Sequence, residues 1–202
     1  FARLKVIGIT GSYGKTSTKE FLAHILGQKF HVLKTPEHQN SEVGISNTIL
    51  RSLTDEHDIF VCEMGAYNKG GIKLLADIAK PDIGIVTGVN EQHLATFGSM
   101  ENLLSAEGGK ELVGSLPKDG VIILNGNNKY CRELYEKTEK PKKLLCYTFL
   151  TAVRNVSSFE PDIKAENVRT DKESVSFEVR GTKFKVQVCG GHNVENLLLA
   201  IA

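Results

Sequence analysis

Apolar residues fall along this chain in two alternating rhythms, and the alternation predicts an α/β protein. Val6-Ile7-Gly8-Ile9 is a short, nearly unbroken apolar run, and after it Phe21, Leu22, Ile25 and Leu26 recur at helical spacing. The unit then repeats. His31 to Lys34 predicts a short strand, and Glu42 to Leu53 a helix that buries Val43, Ile45, Ile49 and Leu50. Asp58 to Met64 has an uninterrupted apolar middle, as a central parallel strand covered on both faces requires. Gly70 to Ala79 predicts a helix ended by Pro81, Ile83 to Val89 a strand, and Met100 to Leu116 one longer helix that stops before Pro117. Val121 to Leu124, a helix around Tyr130 to Lys137, and Leu144 to Phe149 continue the series. Strands separated by helices pair in parallel, so the expected architecture is a doubly wound, mostly parallel sheet of the P-loop type.

From about Asp162 the rhythm changes. Ser174 to Val179 and Lys183 to Val188 alternate polar and apolar residues at period two, with Arg180-Gly181-Thr182 between them. This predicts a hairpin with one wet face, in a small antiparallel appendage at the edge of the domain. Asn193 to Ala202 predicts an apolar helix that reaches the end of the chain without a stop signal. The first strand begins almost at once, with no initiator methionine, so the chain is expected to be cut from a larger protein.

Composition narrows the class. A chain of 202 residues fits one domain with a sizeable core, and a formal net charge of +1 gives no electrostatic footprint for nucleic acid. Lys137, Lys140, Lys142 and Lys143 are interleaved with Glu136 and Glu139, the pattern of a solvated face. Cys62, Cys131, Cys146 and Cys189 include no Cys-x-x-Cys pair and no histidine at zinc-finger spacing, so they read as small buried hydrophobes. No apolar run approaches the roughly 18 residues of a membrane span, and no signal peptide is recognisable; a cytoplasmic protein, monomeric, is expected.

The candidate chemistry begins where the first strand ends. Gly11-Ser12-Tyr13-Gly14-Lys15-Thr16-Ser17 sits between a strand and a helix, where glycines let backbone N–H groups approach a polyphosphate. Lys15 would contact the outer phosphates and Thr16 would offer its hydroxyl to Mg²⁺. The glycine spacing is shorter than in the common P-loop, with Ile9 where its first glycine would stand. Glu63 ends a buried strand, a place where a carboxylate can hold the metal that bridges nucleotide phosphates; a strand-end glutamate turned to solvent is the alternative. His93 follows another strand and could be a metal ligand, a phosphate contact or an ordinary loop histidine.

Together these residues resemble the ATP-binding central domain of the Mur ligases, the ATP-dependent amide-forming enzymes of peptidoglycan precursor synthesis. The resemblance rests on five motifs in family order: Thr10 to Ser17, Asn40-Ser41-Glu42-Val43-Gly44, Glu63-Met64-Gly65-Ala66, His93-Leu94-Ala95-Thr96-Phe97-Gly98-Ser99, and Gly191-His192-Asn193-Val194-Glu195-Asn196. Within the family they look most like the member that adds D-alanyl-D-alanine to UDP-N-acetylmuramoyl-tripeptide. The resemblance implies that the amides of Gly11 to Thr16 and Lys15 hold the phosphates of ATP, that Thr16 and Glu63 bind Mg²⁺, and that His93 belongs to a second metal site. His192, Asn193 and Asn196 would serve the nucleotide, the two asparagines reaching adenine. Thr35 and Asn40 fall where the family contacts its nucleotide-sugar acceptor. The flanking UDP-sugar domain and C-terminal domain of the three-domain family would be absent from residues 1–202.

One position departs from the pattern. The family carries, after the His-Leu-x-x-Phe-Gly-Ser motif, a lysine that reacts with CO₂ to a carbamate whose oxygens bind the second Mg²⁺. Here Glu107 stands at that position, followed by Gly108-Gly109-Lys110. Either Glu107 supplies a carboxylate directly, or Lys110 reaches the same place by a shift of nearly one helical turn, or the second metal site is degenerate. The activity implied is phosphorylation of a peptide carboxylate to an acyl phosphate, which an incoming amine displaces. Other amide ligases of the superfamily, folylpolyglutamate synthase-like or cyanophycin synthetase-like, and a nucleotide-binding paralogue without ligation remain alternatives, and the fragment alone is expected to have little ligase turnover.

Overall fold

The first apolar run becomes β1 (Lys5–Thr10), an interior strand of a nine-stranded sheet. The structure is a computed structural model that describes residues 4–140, 142–148 and 160–202. The remaining strands are β2 (Val32–Lys34), β3 (Ile59–Glu63), β4 (Ile83–Val86), β5 (Val121–Asn125), β6 (Lys142–Thr148), β7 (Ile163–Thr170), β8 (Val175–Val179) and β9 (Thr182–Val186). Their order across the sheet is β2-β3-β1-β4-β5-β6-β7-β8-β9. Pairing is parallel from β2 to β7 and antiparallel from β7 to β9. The Phe149 end of the predicted sixth strand lies outside the described residues.

Each central strand feeds two cores. Val6, Phe60, Cys62, Ile122 and Leu124 pack in one apolar cluster, whereas their chain neighbours Ile7, Ile59, Val61 and Ile123 pack in the other. That is the period-two alternation of a strand buried on both faces, and it explains why these strands read as unbroken apolar runs. The first cluster is covered by α2 (Glu42–Ser52), α3 (Gly71–Ala79), α5 (Met100–Ser105), α6 (Lys110–Ser115) and α7 (Lys129–Lys137), through Ile45, Ile72, Leu103, Leu112 and Leu134. The second is covered by α1 (Lys15–Leu26) and α8 (His192–Ile201), through Leu22, Val194, Leu197 and Leu198. A single turn, α4 (Leu94–Phe97), follows a 3-10 turn at Glu91–His93. No helix among the described residues is long and apolar enough to cross a membrane.

Four details correct or refine the reading of the sequence. The helix expected over Met100 to Leu116 is two helices, because Gly109 holds φ at +86° and caps α6 from the left-handed region that glycine tolerates; the turn carries Glu107. In α2 the inward stripe is Gly44, Ile45 and Thr48, while Val43 and Leu50, seven apart on the opposite face, are 65% and 81% exposed. Thr170 and its predecessors form a strand that the changing rhythm near Asp162 had not delimited: β7 pairs in parallel with β6 at one end and antiparallel with β8 along the other, so the hairpin continues the main sheet. Of the clustered lysines, Lys140 donates to the carbonyls of Leu116 and Pro117, and Lys143 to those of Tyr135 and Thr138, at the C-terminal ends of α6 and α7. Cations there satisfy helix-end carbonyls and complement the helix dipole.

Candidate nucleotide and metal site

All the predicted site residues except Lys110 gather at the carboxyl ends of the strands or at the start of α8. The chain leaves β1 toward β2 on one side and leaves β3 toward β4 on the other, so β1 and β3 flank the topological switch point where open α/β sheets bind ligands. The loop after β1 ends at Gly14, which holds φ at +75° and forms the N-cap of α1. Any side chain at Gly14 would also collide with α8, since a Cβ there would lie 2.5 Å from Asn196 Oδ1.

Lys15 turns back over this loop and donates from Nζ to the Gly11 carbonyl at 2.5 Å. Burial holds its pKa below the ordinary lysine value, opposed by the negative charges of Glu107 and Glu63. At the next residue, Thr16 Oγ1 lies 3.1 Å from both carboxylate oxygens of Glu63. Glu63 is almost completely buried and held from several sides. Asn40 Nδ2 donates to Oε1 at 3.1 Å, Lys19 Nζ lies 3.1 Å from Oε2, and the Glu63 N–H donates to Thr35 Oγ1 at 3.0 Å. Thr35 is fully buried, so its hydroxyl supports the strand end that carries Glu63.

A second cluster forms beside the first. Ser12 Oγ donates to Glu107 Oε2 at 2.6 Å and accepts from the Asn90 N–H at 3.0 Å. His93 Nδ1 faces both Glu107 oxygens, at 3.1 and 3.0 Å. Lys110 instead lines a cavity of about 300 Å³ with Leu104, Val113, Tyr130, Leu134 and Lys137. Tyr13 meets Asn128, whose amide donates to the phenol oxygen at 3.3 Å.

Asn196 is buried between the loop and α1, 3.5 Å from Thr18 Oγ1, and it donates to Asn193 Oδ1 at 3.4 Å. Asn193 donates to the Cys189 carbonyl at 2.7 Å, and His192, at the first position of α8, is exposed. Sequence reasoning missed three participants. Lys19, outside the apolar stripe of Phe21, Leu22, Ile25 and Leu26, is 0% exposed. Asn125, at the end of β5, donates to the Thr87 carbonyl and to Glu195 Oε2, and burial raises the pKa of Glu195. The only signal for Asn125 and Asn128 was their place after an apolar strand.

The carboxylates of Glu63 and Glu107 and the hydroxyls of Thr16 and Ser12 beside them are hard oxygen donors, which suit a divalent cation such as Mg²⁺. Among the described residues no group of three or more His, Cys, Asp and Glu side chains converges. A cation here would therefore complete its shell with phosphate and water, as Mg²⁺ generally does.

A parallel sheet with a Gly-Lys-Thr loop at its switch point and a carboxylate facing the loop threonine defines a P-loop nucleotide-binding domain. The chain belongs to the Mur ligase family: residues 9–202 match the family described as the Mur ligase middle domain. It is 34% identical to the UDP-N-acetylmuramoyl-tripeptide–D-alanyl-D-alanine ligase of Bacillus subtilis, over 98% of this chain and 40% of that one. Among solved structures it is similar to MurF from Acinetobacter baumannii, with a TM-score of 0.85 and 26% identity over 99% of this chain and 42% of that one. MurF from Thermotoga maritima, solved in complex with ADP, matches with a TM-score of 0.77 and 25% identity over 98% of this chain and 44% of that one. The chain thus spans about two fifths of the length of these relatives.

Proposed function

We propose that this chain is the ATP- and Mg²⁺-binding part of a ligase that adds D-alanyl-D-alanine to UDP-N-acetylmuramoyl-tripeptide in peptidoglycan precursor synthesis. The observation that carries the reading is the convergence of Lys15, Thr16 and Glu63 at the switch point, in a chain 34% identical to such a ligase. An N-terminal domain holding the UDP-sugar and a C-terminal domain closing the site would complete the protein, as a monomer in the cytoplasm. These residues alone would bind nucleotide with little or no ligation.

In this reading the loop amides and the Lys15 ammonium hold the phosphates of ATP in line with the peptide carboxylate. The carboxylate oxygen attacks the γ-phosphorus, the bond to the β-phosphate oxygen breaks, and ADP leaves. The amine of D-alanyl-D-alanine then attacks the carbonyl carbon of the acyl phosphate; phosphate departs and the amine gives up a proton. No protein nucleophile is required, and positioning with charge neutralisation supplies the acceleration. Mg²⁺ when bound offsets the negative charge of the transferring phosphoryl group. Thr16 and Glu63 would hold one ion; Glu107 with His93 would supply oxygen and nitrogen donors for a second, Glu107 standing directly in place of a carbamylated lysine. His192, Asn193 and Asn196 would serve the base, and Asn40 would couple the acceptor side to Glu63.

The test is ATP-dependent phosphate release by the full-length protein, comparing UDP-muramoyl-tripeptide plus D-alanyl-D-alanine with a folate plus glutamate. Turnover only with the second pair would overturn the reading.

A further inference from the structure

The least expected group in the site is a buried lysine. Lys19 lies one helical turn beyond Lys15 on α1, is 0% exposed, and its Nζ makes no hydrogen bond of good geometry. An ammonium removed from water is expensive unless compensated, so its surroundings must explain it. Two carboxylates do: Glu63 Oε2 at 3.1 Å and Glu20 Oε1 at 3.6 Å. Glu20 is in turn paired with Lys34 at the surface. The charges form a chain, Lys34, Glu20, Lys19, Glu63, running from solvent to the carboxylate beside Thr16.

We propose that Lys19 is a positioning residue for the divalent cation that accompanies the nucleotide, acting through Glu63. The inference rests on the reading of Thr16 and Glu63 as the metal-binding pair. Asn40 grips one oxygen of Glu63 and Lys19 stands against the other, so the carboxylate cannot rotate and presents both oxygens at equal distance to Thr16. Without the cation at Lys19, Glu63 Oε2 loses its partner and the carboxylate can turn out of line. Lys19 Nζ makes no hydrogen bond to Gly11 to Gly14, so its loss should leave phosphate contacts to the loop intact. Groups that orient a metal ligand without touching the metal commonly matter at this level.

The experiment measures ADP binding by isothermal titration calorimetry in the full-length protein, with excess MgCl₂ and separately with EDTA, for the parent, Glu63→Gln and Lys19→Met. The parent should gain affinity with Mg²⁺; Lys19→Met should lose about 10- to 100-fold of the gain, with affinity in EDTA kept within about twofold. A parent without any Mg²⁺ gain overturns the metal-pair reading and the proposal with it. A parent gain that Glu63→Gln loses but Lys19→Met retains overturns the role of Lys19 alone. Equal losses with and without Mg²⁺ also overturn it, since they mark a role confined to structure. If circular dichroism finds Lys19→Met unfolded, Lys19→Gln is measured in its place, and an intact gain in that neutral variant overturns the proposal.

Discussion

Ser12 and Glu107, 95 positions apart, share a hydrogen bond of 2.6 Å that fastens the turn between α5 and α6 to the loop after β1. The same carboxylate faces His93, whereas Lys110 lines a cavity against α7. Glu107→Ala should therefore lower phosphate release by the full-length protein at least about a hundredfold, as removal of an electrostatic contact to the reacting groups does. Lys110→Ala should stay within about twofold, and bicarbonate should not stimulate the parent. Loss of activity in Lys110→Ala alone, together with bicarbonate stimulation, would reverse the assignment.

Gly14 has two reasons to be glycine, its positive φ and the 2.5 Å that would separate a Cβ from Asn196. Gly14→Ala should cost about 1–3 kcal/mol in urea unfolding. Adding Asn196→Ala should recover only part of that, because the backbone strain remains; full recovery would mean the collision was the whole effect.

The two faces of α2 make a controlled pair. Ile45 is completely buried and Leu50 is 81% exposed. Ile45→Ala should destabilise by about 2–5 kcal/mol, and Leu50→Ala should fall within about 0.5 kcal/mol of the parent. Similar values for both would contradict the orientation of the helix.

Thiol chemistry reads out burial independently. Burial pushes the thiols of Cys131 and Cys146 up to about 12 and raises Cys62 as well, while Cys189 is exposed. At pH 8 the buried thiols stay protonated and unreactive. Native protein should label with iodoacetamide at Cys189 only, and all four cysteines should label in guanidinium, as mass spectrometry of the peptides would establish.

Burial of Lys15 carries a pH-dependent stability cost. Because burial lowers its pKa, the unfolded chain binds this proton more tightly than the folded one. The penalty is fully present below the folded pKa and is relieved as pH rises through that value toward the ordinary lysine range. Lys15→Met should thus melt above the parent at pH 7, with the gap narrowing at pH 10, and should no longer bind ADP. A variant that melts lower at pH 7 would mean that Glu63 and Glu107 outweigh burial.

The strands from β1 to β6 were legible because each carries a compact apolar run, β8 and β9 because they alternate at period two, and the loop after β1 because glycine, lysine and threonine have fixed duties there, whereas β7 carries neither pattern cleanly. The break at Gly109 was hidden by apolar residues that keep helical spacing on both sides of it. Val43 and Leu50 misled because hydrophobicity marks a face only when packing selects that face. Lys19 could not be found from sequence at all: its ion pair is with Glu63 at the end of β3, and no local pattern encodes that meeting. The contact of Thr35 with the Glu63 N–H was likewise hidden, because it arises only when β2 pairs with β3.

The contact between Gly14 and Asn196 joins positions 182 residues apart. During synthesis the loop therefore leaves the ribosome well before its brace. The braced loop cannot form on a nascent chain until α8 has cleared the exit tunnel. A ligand of the braced loop would stabilise the completed domain, by mass action.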